Sequence, residues 1–502
     1  MASADFLSTE SNDDTVVRAR SRLAFGARIR GEDMVSKRSW AKYPASYRGR
    51  QIQILADWIK AGESGSVIGL PGAGKSNLLG FLSHRPEALK QYLSNEFGAV
   101  AFILVDLNNL PNHELATFFR VILRALYEAE QSLLALDETL PASIERLYRK
   151  VEDKSDSFLS QSALREAIVL FQQRDMRLVL VLDPFDQFCQ TASTQVLDNL
   201  RGLRDSFKAT LSYVMGLRHE VTYIRDPEEL GELYEIVDTH HCWLGAMDEA
   251  DAQWVVGQVE AALDKEFAKA QTARLIEVTG GYPALLRAAS LWLADCWPVP
   301  HLEEWPSLLL NEPSIQNRLQ DLRSGLTGEE EAVLSVLQEA WMIASPRIRQ
   351  ESLKQIDEKY LQVLRQLEQK RLCLKTEAGW QIFSSLFASF VTDMEGISAG
   401  KIWRDSATER FFVGDRELSG LSERDRRLLH HFIDHPRSAH TIDDLIEAAW
   451  PEDHSGGVSN EAVQQAIRHL RKQIEPNPAK PSYLVTERGA GYRFFAEGAP
   501  RG

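Results

Sequence analysis

The sequence predicts a multidomain chain of α/β plus α class, with a parallel-sheet domain followed by helical units. Three observations lead there. The loop Gly69-Leu70-Pro71-Gly72-Ala73-Gly74-Lys75-Ser76 sits between a short apolar run and a helix start. Further apolar runs, each ending at a polar residue, alternate with helix-like stretches, the pattern of a parallel sheet covered on both faces. Near the C-terminus an amphipathic helix precedes a hairpin that carries arginines. At 502 residues the chain has room for about three domains of roughly 150 residues each.

Composition narrows the function. The chain is 44% hydrophobic and 26% charged, ordinary for large cores. Its formal net charge of −15 excludes a protein that coats nucleic acid by overall charge, yet permits a local basic site. Cys189, Cys242, Cys296 and Cys373 form no CxxC pair, so neither a zinc module nor a disulfide scaffold is expected. The start, MASADFLSTESNDD, lacks the basic-then-apolar order of a secretory signal. No apolar run approaches the roughly 18 residues that span a bilayer, so a cytoplasmic protein with no membrane partner is expected. Residues 1–17 carry four acids and no base, whereas residues 18–50 carry ten Lys and Arg against Glu32 and Asp33. Such an arm touches nucleic acid or docks on the acidic body of its own chain.

The loop fits G-x-x-x-x-G-K-[ST], the Walker A pattern. Ser66-Val67-Ile68 ahead of it reads as a strand, and Asn77 to Ser83 as a helix start. Glycines let the backbone curl until its N–H groups face phosphate oxygens. The helix N-terminus adds partial positive charge. Gly69, Pro71, Gly72, Gly74, Lys75, Ser76 and Asn77 are therefore candidate nucleotide-binding residues, with ATP or ADP and Mg²⁺ as expected cofactors. Lys75 is expected at the β- and γ-phosphates and Ser76 on the Mg²⁺.

Leu178 to Leu182 is a continuous apolar run ending at Asp183, which reads as a buried parallel strand with an acid at its carboxyl end. Asp183 is expected to share the Mg²⁺ with Ser76, as in Walker B. Pro184 follows, where many ATPases carry a water-orienting Glu, and the next acid is Asp186. Proline can neither take a proton nor position water, so slow, switch-type hydrolysis is expected. Ala99–Val105 ends at Asp106, Ser212–Leu217 ends at Arg218, and Ile236–Leu244 reads as one more strand. Arg218 is a candidate γ-phosphate sensor. Lys75, Asp183, Asp186 and Arg218 make up the candidate catalytic set. Residues 107–175 read as helix-rich, with no assignable motif. His240-His241-Cys242 and the group His430, His431, His435 and His440 lack ligand spacing, and no metal is expected there.

Arg48-Gly49-Arg50, the loop at 69–76, LVLVLDPFDQF at 178–188 and Gly281-Tyr282-Pro283 together resemble STAND-type signal-transduction ATPases, relatives of the AAA+ origin-recognition ATPases. The resemblance covers about residues 45–395. It implies a P-loop NTPase core preceded by an Arg-containing motif, with Arg50 at the nucleotide. It also implies a helical lid whose last helix opens on the GxP motif, with Pro283 toward adenine and ribose, and then a winged helix. Leu244–Gln258 resembles the first lid helix. Read from the residues alone, Gly280-Gly281 before Pro283 is also simply a turn with a proline early in the next helix. Within 320–395, Thr327 is a candidate N-cap, and Leu374 with Trp380–Phe383 suggests a two-stranded wing.

Residues 411–495 resemble the OmpR/PhoB-type winged-helix DNA-binding domain, through Leu421-Ser422, Leu428-Leu429, Leu445, Trp450, Val463–Ile474 and the wing signature at 483–493. Helix arithmetic agrees independently. Val463, Ile467, Leu470 and Ile474 form one narrow apolar stripe. Gln465, Arg468, His469 and Lys472 fall opposite, a face fit for a major groove. Arg471 at its edge, with Arg488 and Arg493 on the wing, suits phosphate. Double-stranded DNA is the expected partner.

The expected organisation is an acidic then basic arm (1–46), a P-loop NTPase domain (47–245), a helical lid (246–318) and a middle winged helix (319–395). A linker (396–410) and a C-terminal winged helix (411–497) follow. The expected function is an ATP-binding switch controlling DNA binding, in a prokaryotic regulator or a defence or stress transducer. Homo-oligomerisation in the ATP state and an unidentified protein trigger are expected with it. The alternatives are a DNA-remodelling, loading or transposition ATPase, against which Pro184 counts, and an ATP-gated protein-interaction scaffold.

Overall fold

The computed structural model describes residues 40–93, 99–392, 400–406, 408–414, 416–451, 458–487 and 489–499. Most of the basic arm and Arg488 lie outside the described residues.

Five parallel strands form the first sheet: β1 Gly65–Gly69, β2 Val100–Asp106, β3 Arg177–Asp183, β4 Leu211–Leu217 and β5 His241–Leu244, in the order β2-β3-β4-β1-β5. The apolar runs have no polar alternation because both faces are covered. Val67, Val179, Val181 and Val214 pack into one core, while Ile68, Leu178, Leu180, Leu182 and Met215 pack into the other. The motif-free stretch 107–175 supplies the cover for the second face, through the helices Leu115–Glu128, Leu140–Val151 and Ser157–Gln172.

The expected strand Ile236–Leu244 is corrected. Residues Leu233–Asp238 form a helix, and only His241–Leu244 is strand. Leu233, Ile236 and Val237 lie at helical spacing and are all buried, so a three-residue stripe at i, i+3 and i+4 reads as well as a strand does.

On the first face sit α1 (Gly49–Ala61), α2 (Lys75–His84), α3 (Glu249–Leu263) and α4 (Pro283–Asp295). The helix expected from Leu244 begins only at Glu249, where Asp248 caps it by accepting from Asp251 N–H at 2.9 Å. Helix Pro313–Ser324 runs unbroken across residue 318, the expected lid boundary, because Ile315, Leu319 and Leu322 form one buried stripe. The chain turns at Gly325–Thr327, where Thr327 and Glu330 make a reciprocal capping box for α5 (Gly328–Met342). Then come α6 (Pro346–Gln369), the hairpin β6 Cys373–Thr376 with β7 Gly379–Ile382, and α7 (Ser385–Thr392). Lys370 and Glu330 form a buried ion pair at 2.8 Å between α5 and the end of α6. A single hydrophobic cluster runs from Tyr47 through the lid to Val391.

The C-terminal unit has its own core, from Ile402 to Phe494. Residues 402–405, expected within a linker, are instead strand β8 (Ile402–Asp405). It pairs with β9 (Arg410–Val413), which pairs with β10 (Arg416–Glu417). Ile402 is buried with Phe411 and Val413, which is what draws this segment into the unit. The helices α8 (Glu423–Asp434), α9 (Ile442–Ala449) and α10 (Asn460–Ile474) follow. They pack with the antiparallel sheet of β11 (Ala439–His440), β13 (Gly491–Phe494) and β12 (Leu484–Glu487).

Candidate functional site

Two candidate sites are built by this architecture, one at the carboxyl ends of the parallel strands and one on α10. At the first, Gly72 and Gly74 hold φ of 82° and 89°, a left-handed backbone that glycine adopts without strain. The turn feeds α2 with Lys75 as its first residue. Ser76 Oγ donates to Asp183 Oδ2 at 2.9 Å, across the intervening strand β4. Lys75 Nζ stands 3.8 Å from both Asp183 Oδ1 and Asp186 Oδ2. These two carboxylate oxygens are buried and accept no hydrogen bond. Burial pulls the Lys75 amine below its ordinary range, with the facing aspartates opposing that shift. Burial likewise pushes the Asp186 carboxyl up, against the pull of Lys75. Asp186 Oδ1 also accepts the backbone N–H of Arg218 at 2.7 Å, so the end of β4 is tied directly to the acidic pair. The Arg218 side chain itself is exposed.

The start of α4 closes on the loop from outside. Tyr282 Oη donates to Pro71 O at 3.0 Å, and Ala284 N–H donates to Gly72 O at 3.2 Å. A Cβ on Gly74 would lie 3.7 Å from Pro283 Cγ, so Pro283 packs against the loop. Gly69 and Pro71 complete the turn, and Asn77 is exposed on the first turn of α2.

Arg48 grips the loop. Arg48 Nη2 donates to Ala73 O at 3.0 Å and Gly245 O at 2.9 Å, and Nη1 donates to Ala246 O at 3.2 Å. Its own N–H donates to Asp251 Oδ2 at 2.8 Å. Arg50 is exposed one helical step on. It borders a cavity of about 240 Å³ shared with Arg371, Asp248 and Phe383. Alternation of side-chain direction could not choose between Arg48 and Arg50, because Arg48 is left-handed, with φ of 54°.

On α10 the stripe Val463, Ile467, Leu470 and Ile474 is buried as its spacing requires, and Gln465, Arg468 and Lys472 are exposed opposite. The other expected contacts are engaged inside the unit. His469 Nδ1 lies 3.0 Å from Asp425 Oδ2, on the carboxylate that caps α8 with Ser422. Arg471 donates to Leu484 O and Thr486 Oγ1, bracing β12. Arg493 is buried and ion-paired to Glu487 at 2.7 Å, so the expectation of an outward wing charge there is corrected. Tyr492 and Phe494 face the core, so Arg493 lies on the other face of β13, where Glu487 of β12 pairs with it. Glu475, which sequence reasoning passed over, accepts the N–H groups of Ser482, Tyr483 and Leu484 and so fixes the root of the wing. A carboxylate directly after the last helical apolar residue was the available signal.

Among the described residues no helix is long and apolar enough to cross a membrane.

Comparison with known proteins gives two family matches. Residues 416–494 match the family described as transcriptional regulatory protein, C terminal, and residues 52–215 match nephrocystin 3, N-terminal. The alkaline phosphatase synthesis transcriptional regulatory protein SphR of Synechococcus elongatus is 45% identical over 85 residues, which are 17% of this chain and 32% of that protein. Transcriptional regulatory protein YvrH of Bacillus subtilis is 41% identical over 69 residues, 14% of this chain and 28% of that one. The chain thus spans about a third of the length of these relatives. Among solved structures, a Walker-type ATPase of Pyrococcus abyssi aligns at 13% identity and TM-score 0.42, over 68% of this chain and 95% of that one. The DNA-binding domain of Klebsiella pneumoniae RstA, in complex with the RstA box, aligns at 25% identity and TM-score 0.18, over 20% and 98%. Residues 416–494 are therefore a C-terminal winged-helix domain of the transcriptional-regulatory-protein type, carried behind a parallel five-stranded P-loop core.

Proposed function

We propose that this chain is a nucleotide-responsive regulator in which ATP binding at the P-loop controls reading of double-stranded DNA by α10. The observation that carries the reading is one chain holding both parts. Lys75, Ser76, Asp183 and Asp186 converge at the strand ends, and Gln465, Arg468 and Lys472 stand exposed on a helix whose other face is buried.

The residues present fit Mg²⁺ and a nucleotide. Asp183 Oδ1 and Asp186 Oδ2 are buried acceptors without donors, beside an amine and a hydroxyl. Ser76 and Asp183 would hold the cation, which when bound neutralises charge on the phosphates. Lys75 and the loop amides hold phosphate oxygens, and Arg48 sets the loop against β5. Asp186 ties the base of the site to Arg218. Pro184 offers no proton acceptor, so turnover is slow and the bound state is long-lived, as a switch requires. DNA binding shifts with nucleotide only through different affinities for two arrangements of the chain.

The test is binding to duplex DNA without nucleotide, with ADP and with a non-hydrolysable ATP analogue. Lys75→Ala and Arg468→Ala/Lys472→Ala serve as controls. Affinity that changes with nucleotide, and is lost in the DNA-face control, supports the regulator. DNA affinity with no response to nucleotide removes the control. No affinity for duplex at low salt leaves the scaffold reading.

A further inference from the structure

The core of the C-terminal unit shares no residue with the cluster that unites residues 47–391. The contacts that tie this unit to the α/β domain centre on Arg437, Glu497 and Tyr223, and the first two are also paired with each other inside the unit. Arg437 Nε donates to Glu497 Oε1 at 3.1 Å, and Nη2 pairs with the same oxygen. Arg437 Nη1 donates to Thr222 Oγ1 at 3.2 Å, and the guanidinium lies 4.9 Å from the centre of the Tyr223 ring. Tyr223 Oη donates to Glu497 Oε1 at 3.2 Å, and its ring stacks on Phe495 at 6.0 Å. The tail adds one backbone bond, from Glu329 N–H to Glu497 O at 3.1 Å.

The backbone of Arg437 is a second, independent sign. Its φ is 66°, in the left-handed region where glycine is the unstrained residue. A strained non-glycine residue persists where its surroundings over-determine it. Here the Arg437 N–H is fixed by Phe494 O at 2.8 Å, and the side chain spans to the α/β domain.

On the α/β side, Thr222 and Tyr223 stand in the turn Val221–Tyr223, just beyond Arg218. The Arg218 N–H is held by Asp186, whose other oxygen faces Lys75. Between them, His219 lies against Gly325 at the entry to α5. A short covalent segment therefore runs from the phosphate site to the reader.

We infer that Arg437, Glu497 and Tyr223 latch the C-terminal unit to the segment 218–223, and that this latch carries nucleotide state from the P-loop to the DNA-reading helix. The inference rests on the proposed nucleotide control of DNA reading. Gln465, Arg468 and Lys472 are exposed in the latched arrangement, so the latch does not mask the helix. It fixes where the helix stands, which governs affinity when copies must meet successive half-sites on one duplex.

The test uses the full chain and a random-sequence duplex pool at low salt. Arg437→Gly deletes the latch side chain and relieves the left-handed backbone, so the C-terminal unit keeps its fold. Wild-type affinity is expected to change at least about fivefold between ADP and a non-hydrolysable ATP analogue, the lower end of ordinary coupling. In Arg437→Gly the change falls below about twofold while affinity for the ATP analogue is unchanged. Glu497→Gln, which keeps the tail backbone, is expected to reduce the change in the same direction. Hydrogen exchange at the Glu329 amide reads the latch directly and is expected to speed up in Arg437→Gly. A variant that keeps the full wild-type change, or an unaltered Glu329 exchange rate, overturns the latch alone. Wild-type affinity that ignores nucleotide overturns the control reading itself, and the latch with it.

Discussion

His219 makes the chain acid-sensitive at the junction of the P-loop core and α5. Burial holds its imidazole down from the ordinary 6.5 to about 3, with Lys370, Arg218 and Lys75 adding to the shift. The sign follows from linkage. A base whose folded value is depressed contributes its full stability above the unfolded value, here 6.5, and loses it as pH falls toward the folded value. At pH 5.5 the unfolded imidazole is about nine-tenths protonated and the folded one is neutral, which costs about 1.4 kcal/mol relative to pH 7.5. His219→Gln removes this difference, and the Nδ1 it deletes has no hydrogen-bond partner to lose. For a unit spanning residues 47–391 the difference is roughly 2 °C in midpoint. The assay is thermal unfolding of both proteins at pH 7.5 and 5.5, scored by how far each midpoint falls. His431 and His440 are also held below their ordinary range by burial, so both proteins lose stability on acidification. The wild type should lose more, by the amount above. Equal losses would refute the assignment of a neutral, buried His219.

Arg48→Ala strips donors from Ala73 O, Gly245 O and Ala246 O, and should cost at least about 3 kcal/mol, since each bond from a charged donor is worth roughly 1.5–3. Chemical denaturation checks it, and calorimetric titration with an ATP analogue should show weaker binding, with Arg50→Ala milder on both counts. Gly72→Ala would place a Cβ 2.5 Å from Ala284 Cβ at a φ of 82°, so the lid must draw back. Faster hydrogen exchange in residues 280–286 and a loss of at least about 1 kcal/mol are expected. Arg468→Ala/Lys472→Ala should lower the slope of log affinity against log salt by roughly 1–2, whereas Arg493→Ala should unfold the wing instead. Lys370→Met leaves Glu330 buried without its partner and should cost about 3–5 kcal/mol in denaturant titration, with Lys370→Met/Glu330→Gln recovering more than half.

What the sequence discloses depends on whether a residue's role is local. The phosphate loop is local: its glycines, Lys75 and Ser76 are consecutive, and the structure brings them to Asp183 and Asp186 as strand-end reasoning places them. The stripe on α10 is local too, since 3.6-residue periodicity alone decides which side of the helix is buried. Arg48 and Arg493 are not. Arg48 is chosen by carbonyls far along the chain, at 245 and 246, and Arg493 by Glu487 six residues back, which only the register of β12 on β13 brings beside it. Strand and helix are confused at 233–238 for a different reason, because a three-residue apolar stripe suits either period. The segment 402–405 reads as linker because two polar neighbours mask its one core residue, Ile402.

The division of cores bears on how such a chain moves. Residues from Tyr47 to Val391 share one apolar cluster, with Tyr282 and Phe383 in ring contact beside the P-loop. Pulling α3 and α4 away from α5 and α6 would expose that cluster to water, at roughly 25 cal/mol per Å² of apolar surface. Releasing the C-terminal unit from the α/β domain breaks the Tyr223–Glu497 and Arg437–Thr222 hydrogen bonds, which water can replace, and the Tyr223 ring contacts with Phe495 and Arg437. In the proposed switch, a small displacement at Asp186 and Arg218 is therefore amplified most cheaply at the boundary with the C-terminal unit. The element with its own core is the one free to change position while every fold on either side stays intact.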